Sequence, residues 1–217
     1  MKVIDVFKGY NPWSKINLNK GDFFIKKDWE SLSSQKRKML KKYSSLPEPF
    51  SGNPNSCVVC LNANPGEKDD CYENSFGMKK FIKLTKQTLR GNAKQSLWYD
   101  MKDHSGYCWL QYLTKELRKD LKRNPQLFMI DYFPYHSSKS FTFPNSLPSY
   151  DFTNKLVEAA IDEGKIIIIL RKETEWKNRI AKLNNYSKCF VIHSKRNICL
   201  SRKNLGDKVY NIVLSSL

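Results

Sequence analysis

Three short polar segments of this chain carry side chains suited to hydrogen-bond and proton chemistry, and each one follows an apolar run. Residues 62–66 (Asn-Ala-Asn-Pro-Gly) follow the first such run, Asp131 and His136 follow the second, and His193 follows the last. Amides, carboxyls and imidazoles can orient a water molecule, read a hydrogen-bonding edge and stabilise developing charge. The chain has only 3 histidines, so two that directly follow apolar runs exceed the number expected by chance.

The apolar runs themselves are typical of buried parallel strands. They cover residues 57–61, 127–130, 166–170 and 189–192, and helix-like stretches lie at 76–89, 107–121, 152–163 and 176–183. Strands that alternate with helices form crossover units, so the predicted fold class is α/β: a three-layer α/β/α fold with a central, mostly parallel four-stranded sheet. Ligands bind beyond the carboxyl ends of such strands, where the polar segments lie.

Three further elements complete the predicted outline. Residues 31–43 read as a basic helix capped by Ser31 or Ser33, residues 46–54 as an extended loop rich in proline and glycine, and residues 208–216 as a closing helix. A chain of 217 residues fits one globular domain. We therefore expect a single domain over 1–217, with an α/β core at 46–217 and a helical and extended elaboration at 1–45.

The charge balance points to a polyanionic partner. Lys and Arg number 38 against 21 Asp and Glu, which gives a net charge of +17, and nucleic acid is the first candidate. A biased genome composition is the alternative explanation, and charge alone does not separate DNA, RNA and an anionic membrane. The longest aliphatic run, 166–170, is too short to cross a bilayer, and the first residues lack the apolar core of a signal peptide. We expect a cytoplasmic monomer with no membrane contact.

The six cysteines are expected to be reduced thiols rather than a disulfide framework. Cys57 and Cys60 have the spacing of a metal-binding pair, but they fall in a predicted strand. Alternation along a strand sends positions 57 and 60 to opposite faces, which argues against an iron-sulfur or zinc site. We predict no metal and no cofactor.

Three motifs in order resemble one family. Residues 64–66 (Asn-Pro-Gly) resemble the G-x-N-P-G motif of mismatch-specific and single-strand-selective uracil glycosylases, and residues 193–197 resemble their H-P-S-P-R-N loop. Between them, Asp131 ends a strand where the family has an Asn that reads the base. The chain is therefore similar to the uracil-DNA glycosylase superfamily over residues 46–217 in element order. Asn62 stands where the family usually has Gly, and the loop that begins at His193 lacks its first Pro and one residue of length.

The resemblance implies that the protein flips a base out of DNA and hydrolyses its bond to the sugar without a metal. Positive charge then builds on the sugar and negative charge on the departing base. Asn64 is the residue expected to orient the attacking water, and His193 is expected to donate a hydrogen bond to the base carbonyl that gains charge. The alternative for His193 is an ordinary polar residue in a loop.

The base itself is expected to contact Asn62, Gly66, Phe76 and Asp131. Phe76 lies where the family places an aromatic residue that stacks on the base, although a core position on the following helix explains it equally well. An ionised Asp131 only accepts hydrogen bonds, which suits the amino group of cytosine. Gly66 leaves room for a substituent on carbon 5. A 5-substituted cytosine, as in phage DNA, and a uracil-type base both stay open, as do roles in repair and in anti-phage defence.

The remaining predicted DNA contacts lie in two loops. They are His136, Ser137, Ser138 and Lys139 for the flanking phosphates, and Lys195, Arg196 and Asn197 for the strand or the gap left by the base. Two other functions compete with the glycosylase: a basic nucleic-acid-binding protein without catalysis, and a hydrolase that uses Ser137 or Ser138. The second lacks a G-x-S-x-G motif near those serines.

Overall fold

The computed structural model describes residues 1–18, 23–42, 45–67 and 75–217, and for residues 75–78 it describes only the backbone. The helices in this part of the chain are α1 (Val3–Lys8), α2 (Lys26–Ser31), α3 (Ser34–Lys41), α4 (Ser75–Leu89), α5 (Ser105–Leu113), α6 (Lys115–Leu121), α7 (Tyr150–Asp162), α8 (Glu173–Arg179), α9 (Arg202–Leu205) and α10 (Asp207–Ser215). Short 3-10 turns lie at Pro12–Lys15, Leu97–Asp100 and Ala181–Asn184.

A mostly parallel sheet forms the centre of the molecule. Its strands are β1 (Phe50–Gly52), β2 (Val58–Asn62), β3 (Phe128–Asp131), β4 (Ile166–Ile169) and β5 (Cys189–Val191), in the spatial order β1-β3-β2-β4-β5. The strands β3, β2, β4 and β5 pair in parallel, and β1 pairs antiparallel with β3. The α/β class and the predominantly parallel sheet are therefore confirmed.

The sheet has five strands, so the predicted number of four was wrong. The extra strand, β1, lies in the segment 46–54 that was predicted as an extended loop. Phe50 pairs with Ile130 and Gly52 with Phe128. Prolines at 49 and 54 bracket the strand and keep it short, because proline cannot donate a ladder hydrogen bond. So brief a strand at the edge of a sheet leaves little periodic signal in the sequence.

The parallel strands form where the sequence has uninterrupted apolar residues. All four isoleucines of β4 are buried, and so are Val58 to Leu61 of β2. Strands that are buried at every position have both faces covered, which explains why they read as continuous apolar runs. The crossovers that connect them contain α4 to α6, then α7, then α8, as the alternation predicted.

Two of the predicted helices are interrupted. The stretch 107–121 forms α5 and α6, which are separated at Thr114, where the buried hydroxyl donates a hydrogen bond to the Leu110 carbonyl at 2.7 Å. The stretch 31–43 falls on the end of α2 and on α3, and Ser33 caps α3 by accepting from the Lys36 amide.

In the described part of the chain, none of the helices combines the length and the apolar character needed to span a bilayer.

The N-terminal segment packs on the same core as the sheet. Phe7 of α1 meets Phe50 of β1 edge to face, with ring centroids 5.0 Å apart, and it also meets Phe152 of α7 at 5.6 Å. The buried Asp28 of α2 accepts a hydrogen bond from the Tyr135 hydroxyl at 2.7 Å. These contacts attach the N-terminal segment to β1 and to the loop after β3.

Candidate functional site

A cavity of about 540 Å³ opens at the carboxyl ends of β2, β3 and β4. Its lining comes from the segments that follow those strands, from the approach to β1, and from the start of α5 with the turn before it. The lining residues are Glu48, Ser51, Asn62, Ala63, Asn64, Pro65, Gly66, Glu67, Trp98, His104, Ser105, Gly106, Trp109, Met129, Asp131, His136, Ser137, Ser138, Lys139, Phe141, Phe143, Arg171 and Lys172. The position is the one where parallel α/β sheets bind ligands.

Eight of the residues predicted from the sequence meet in this cavity. They are Asn62, Asn64, Gly66, Asp131, His136, Ser137, Ser138 and Lys139. They come from two segments that are separated by more than sixty residues of chain. The parallel pairing of β2 with β3, in which Asn62 lies opposite Asp131, brings the two strand ends side by side.

The amide of Asn64 is held in one orientation by the loop after β3. Its Nδ2 donates a hydrogen bond to the Ser137 hydroxyl at 3.0 Å, and the Ser137 backbone amide donates to the Gly66 carbonyl at 2.9 Å. Gly66 has a φ of 89°, which glycine adopts without strain. Because the nitrogen of the Asn64 amide is engaged by Ser137, its carbonyl oxygen points the other way and can accept from a water molecule.

A buried pair, Glu48 and His136, crosses the floor of the cavity. His136 Nε2 lies 2.9 Å from Glu48 Oε1, and the two side chains are 4% and 9% exposed. The backbone amide of Glu48 also donates to the carbonyl of Pro134 at 2.9 Å. Glu48 therefore fixes the loop that carries both His136 and Ser137. Sequence reasoning missed Glu48, and its only signal was an acidic residue between two prolines of an otherwise apolar segment.

Asp131 ends β3 beside this pair. Burial raises the pKa of its carboxyl well above the usual value, the negative charge of Glu48 raises the pKa further, and a hydrogen bond from the Asn62 side chain opposes the shift. Burial therefore keeps the acid neutral to higher pH than an exposed Asp. The argument for a cytosine-type edge assumed an ionised Asp131 that only accepts hydrogen bonds. A protonated carboxyl both donates and accepts, so the raised pKa of Asp131 opens the other hydrogen-bonding pattern as well.

Helix α8 braces the two strand ends from outside the cavity. Trp176 Nε1 donates to the Asn62 carbonyl at 2.9 Å, and Arg179 Nη1 donates to the Tyr132 carbonyl at 3.2 Å. The guanidinium of Arg179 also lies 3.7 Å from the centroid of the Tyr132 ring and 4.1 Å from that of Tyr150. These contacts hold the backbone on both sides of Asp131.

Aromatic side chains form part of the cavity wall, and sequence reasoning missed them. Trp98 and His104 stack with their centroids 4.6 Å apart, and Trp109 and Phe143 are half-buried at the lining. Flat faces of this kind can stack on a base. They lie on a turn, on α5 and in the loop after β3, where no strand-end pattern marks them. The side chain of Phe76, which was predicted for this role, lies outside the described residues.

His193 does not line the cavity. Its side chain is exposed at the end of the edge strand β5, and its backbone amide donates to the Asn204 carbonyl at 2.9 Å. That hydrogen bond ties the segment after β5 to α9. Asn64 and His193 therefore do not meet in one pocket, contrary to the prediction. Strand β4 separates β5 from β2, and the segment after β5 turns toward α9.

The neighbours of His193 lie outside the cavity as well. Lys195 pairs with Glu173 of α8 at 3.3 Å, Asn197 accepts a hydrogen bond from the Tyr112 hydroxyl at 2.8 Å, and Arg196 is exposed. Lys195, Arg196 and Asn197 thus form a surface loop. Their contact with DNA stays a prediction.

The cysteine pair has the arrangement expected of a strand. Cys60 is buried in β2, whereas Cys57 is exposed just before it. Burial raises the pKa of the Cys60 thiol to about 12, so that thiol stays protonated. Within the described ranges, no group of three or more His, Cys, Asp or Glu side chains is arranged to hold a metal ion. Cys71 lies outside the described residues.

Comparisons with protein-family models, with curated proteins and with solved structures found no match to this chain. The residues of the site themselves therefore indicate its chemistry. The cavity combines an oriented amide, a buried carboxyl with a raised pKa, a buried imidazole and carboxyl pair, and aromatic faces. Such a set can hold a planar heterocycle by stacking and by edge hydrogen bonds while it positions one water molecule.

Proposed function

We propose that this protein is a monofunctional DNA glycosylase that flips a pyrimidine-type base into the cavity and hydrolyses its bond to the deoxyribose. The observation that carries the proposal is the Asn64 amide, which Ser137 orients at 3.0 Å inside a cavity at the strand ends. The resemblance of residues 64–66 to the glycosylase motif supports it. The proposal includes the three-layer α/β/α arrangement that this resemblance implies.

In the proposed reaction, Asn64 places a water molecule against the sugar. The water oxygen forms a bond to the anomeric carbon, and the bond from that carbon to the base breaks with its electron pair leaving on the base. One proton of the water passes to the departing base, and the products are the free base and an abasic site. An amide is a weak base, so most of the driving force comes from stabilising the departing base.

In this proposal His136 takes the role suggested for His193, and it does so as an imidazolium: with Nε2 donating to Glu48, a second N–H is needed to donate to the base. It is the imidazole that Glu48 holds inside the cavity, and a hydrogen bond to a carboxylate fixes its ring in position. A ring held in this way needs no reorganisation when charge develops on the base. Arg171 and Lys139, which also line the cavity, add positive potential for the base and its flanking phosphates.

Neutral Asp131 is proposed to read the edge of the base. Its protonated carboxyl can donate to the carbonyl of uracil and accept from the ring N–H, and it can equally accept from the amino group of cytosine and donate to its ring nitrogen. A methyl group added at Gly66 would meet no atom of the described residues within 4 Å. The cavity, at about 540 Å³, is within the roughly 300–1,000 Å³ typical of ligand sites, so a substituent on carbon 5 fits.

The direct test incubates the purified protein with oligonucleotides that carry uracil, other deaminated bases or 5-substituted cytosines, followed by alkali to cleave abasic sites. We expect strand cleavage for at least one base, and loss of cleavage in Asn64→Ala. Asn178→Ala is the matched control, because Asn178 is exposed on α8 and lies outside the cavity lining. Cleavage that persists at the wild-type rate in Asn64→Ala contradicts the proposal, as does the absence of abasic sites with every base.

A second comparison separates the two histidines. His136→Gln keeps an N–H donor for Glu48 and preserves the buried pair, whereas His193→Ala removes an exposed ring. We expect His136→Gln to slow excision by about tenfold or more, the equivalent of ~1.4 kcal/mol. His193→Ala should excise at close to the wild-type rate. The opposite ranking would show that the segment after β5 closes over the bound base.

A nucleic-acid-binding protein without catalysis is the second candidate function, and the net charge of +17 favours it. Such a protein would bind DNA, release no base, and keep its affinity in Asn64→Ala. The oligonucleotide assay and a binding measurement on the same variants distinguish the two functions.

A further inference from the structure

Helix α4 carries a row of basic side chains on its outer surface. Lys79, Lys83 and Lys86 of α4 and Arg90, the residue directly after the helix, follow one another at intervals of three and four residues, so they lie on one face. Together with Ile82 and Gln87 they line a surface groove that is separate from the candidate site. We call these four residues the basic row.

Three members of the basic row, Lys79, Lys83 and Arg90, have no acidic partner among the described residues. The sequence of α4 contains no Asp or Glu, and no acidic side chain lines the groove in the described part of the chain. The side chains of Lys79, Lys83 and Arg90 make none of the ion pairs found among the described residues. Like charges at these spacings destabilise a helix by about 0.2–0.5 kcal/mol per pair. A polyanion bound along the row would remove that cost.

We propose that the basic row binds the phosphodiester backbone of DNA. From Lys79 to Arg90 the row extends about 16 Å along the helix, at 1.5 Å per residue. One strand of duplex DNA presents a phosphate about every 3.4 Å of helix axis, so each of the four cations can meet a phosphate within that length. This inference rests on the proposed DNA substrate, and it adds a contact surface outside the cavity.

The groove suits DNA better than an anionic membrane. Helices that lie on membranes insert large apolar side chains opposite a basic face. Here the apolar residues Phe81 and Leu89 of α4 are buried in the core, and only the half-buried Ile82 lies in the groove. A surface with cations and little apolar area binds nucleic acid through contacts with phosphates. The release of counterions from the DNA drives this binding.

The test compares two triple variants with the same change in net charge. The first is Lys79→Gln, Lys83→Gln and Arg90→Gln, and the matched control is Lys38→Gln, Lys115→Gln and Lys119→Gln, whose lysines are exposed on α3 and α6. Equilibrium binding to an unmodified DNA duplex is measured from 50 to 200 mM salt. Three lost phosphate contacts should reduce the slope of log affinity against log salt by about 2 to 3 and weaken binding roughly tenfold or more.

We expect the control variant to keep the wild-type slope. Equal losses in both variants would mean that the whole surface charge acts diffusely, and this would overturn the proposal. Tighter binding of the wild type to phosphatidylserine vesicles than to the duplex would overturn it as well. Excision is not needed for this measurement, so failure of the basic row and failure of the glycosylase proposal are distinguishable. Circular dichroism of both variants verifies that α4 stays folded.

Discussion

At the scale of single residues, the site depends on the orientation of one amide and the protonation of one carboxyl. Ser137 engages the nitrogen of the Asn64 amide, so the amide carbonyl is the group that remains to position water. Burial beside Glu48 raises the pKa of Asp131, so this residue can donate a hydrogen bond as well as accept one. Both properties arise from neighbours that are distant in the sequence.

The orientation of Asn64 predicts a specific defect in Ser137→Ala. Without the hydroxyl the Asn64 amide can rotate, and we expect the single-turnover rate of base release to fall about tenfold, the equivalent of ~1.4 kcal/mol. Affinity for the substrate duplex should stay within a factor of two or so of the wild type, because a positioning hydrogen bond acts mainly in the transition state. Ser137→Thr keeps the hydroxyl and should restore most of the rate. A drop in affinity with an unchanged rate would contradict this role.

The raised pKa of Asp131 predicts a pH-dependent gain in stability for Asp131→Asn. Above the usual aspartate pKa of 3.8 the unfolded chain releases a proton that the folded protein retains, so the carboxyl destabilises the fold increasingly up to its folded pKa. Asp131→Asn removes this cost. We expect little gain in the free energy of unfolding near pH 4 and a clearly larger gain at pH 7, measured by urea unfolding. A gain of equal size at both pH values would show that titration is not the cause.

At the scale of elements, the approach of β1 to β3 sets one wall of the site. Glu48 precedes β1, and Asp131 ends β3, so the pairing of these strands brings the two carboxyls into range of each other. The pairing requires glycine at position 52. Gly52 has a φ of 93°, and a methyl group there would collide with the Leu127 carbonyl. Helix α8 supports the other side through Trp176 and Arg179.

Gly52→Ala is therefore expected to destabilise the protein strongly. It combines an unfavourable backbone conformation with a clash against the main chain of the neighbouring strand, and the expected loss is at least ~2 kcal/mol of unfolding free energy. Gly206→Ala is the matched control, since Gly206 also has a positive φ of 75° but has open space around it. It should cost roughly 1 kcal/mol. If both variants lost the same free energy of unfolding, measured by heat or urea, the contact of β1 with Leu127 would have to relax readily.

At the scale of the whole molecule, the excess of basic residues favours a polyanionic partner such as the proposed DNA. The net charge of +17 is distributed over many exposed lysines, and the basic row on α4 concentrates part of it on one face. Electrostatic attraction of this kind is independent of base sequence and is weakened by salt. In the proposed function, this attraction brings DNA to the protein and the cavity selects the base.

We expect the affinity for an undamaged duplex to fall roughly 100-fold or more between 50 and 200 mM salt. Asn64→Ala should bind this duplex with the wild-type affinity and the same salt slope, because Asn64 lies inside the cavity and meets only an extruded nucleotide. Fluorescence anisotropy with a labelled duplex measures both quantities. A salt-independent affinity would exclude phosphate contacts as the main source of binding.

The α/β class, the four parallel strands and two of the polar segments that line the cavity could be predicted from the amino-acid sequence alone. These features are local: continuous apolar runs such as 166–169 can only be strands buried on both faces, and the residues after them necessarily lie at the carboxyl edge. Because β2 and β3 pair directly with each other, the segments that follow them meet at the edge of the sheet.

Only the tertiary structure decided which of those segments share a site. The order β1-β3-β2-β4-β5 separates the segment after β5 from the one after β2, and Asn204 ties His193 toward α9. The same packing brings Glu48 to His136 and raises the pKa of Asp131. Strand order, burial and protonation depend on contacts between residues far apart in the chain, and no periodic pattern encodes them.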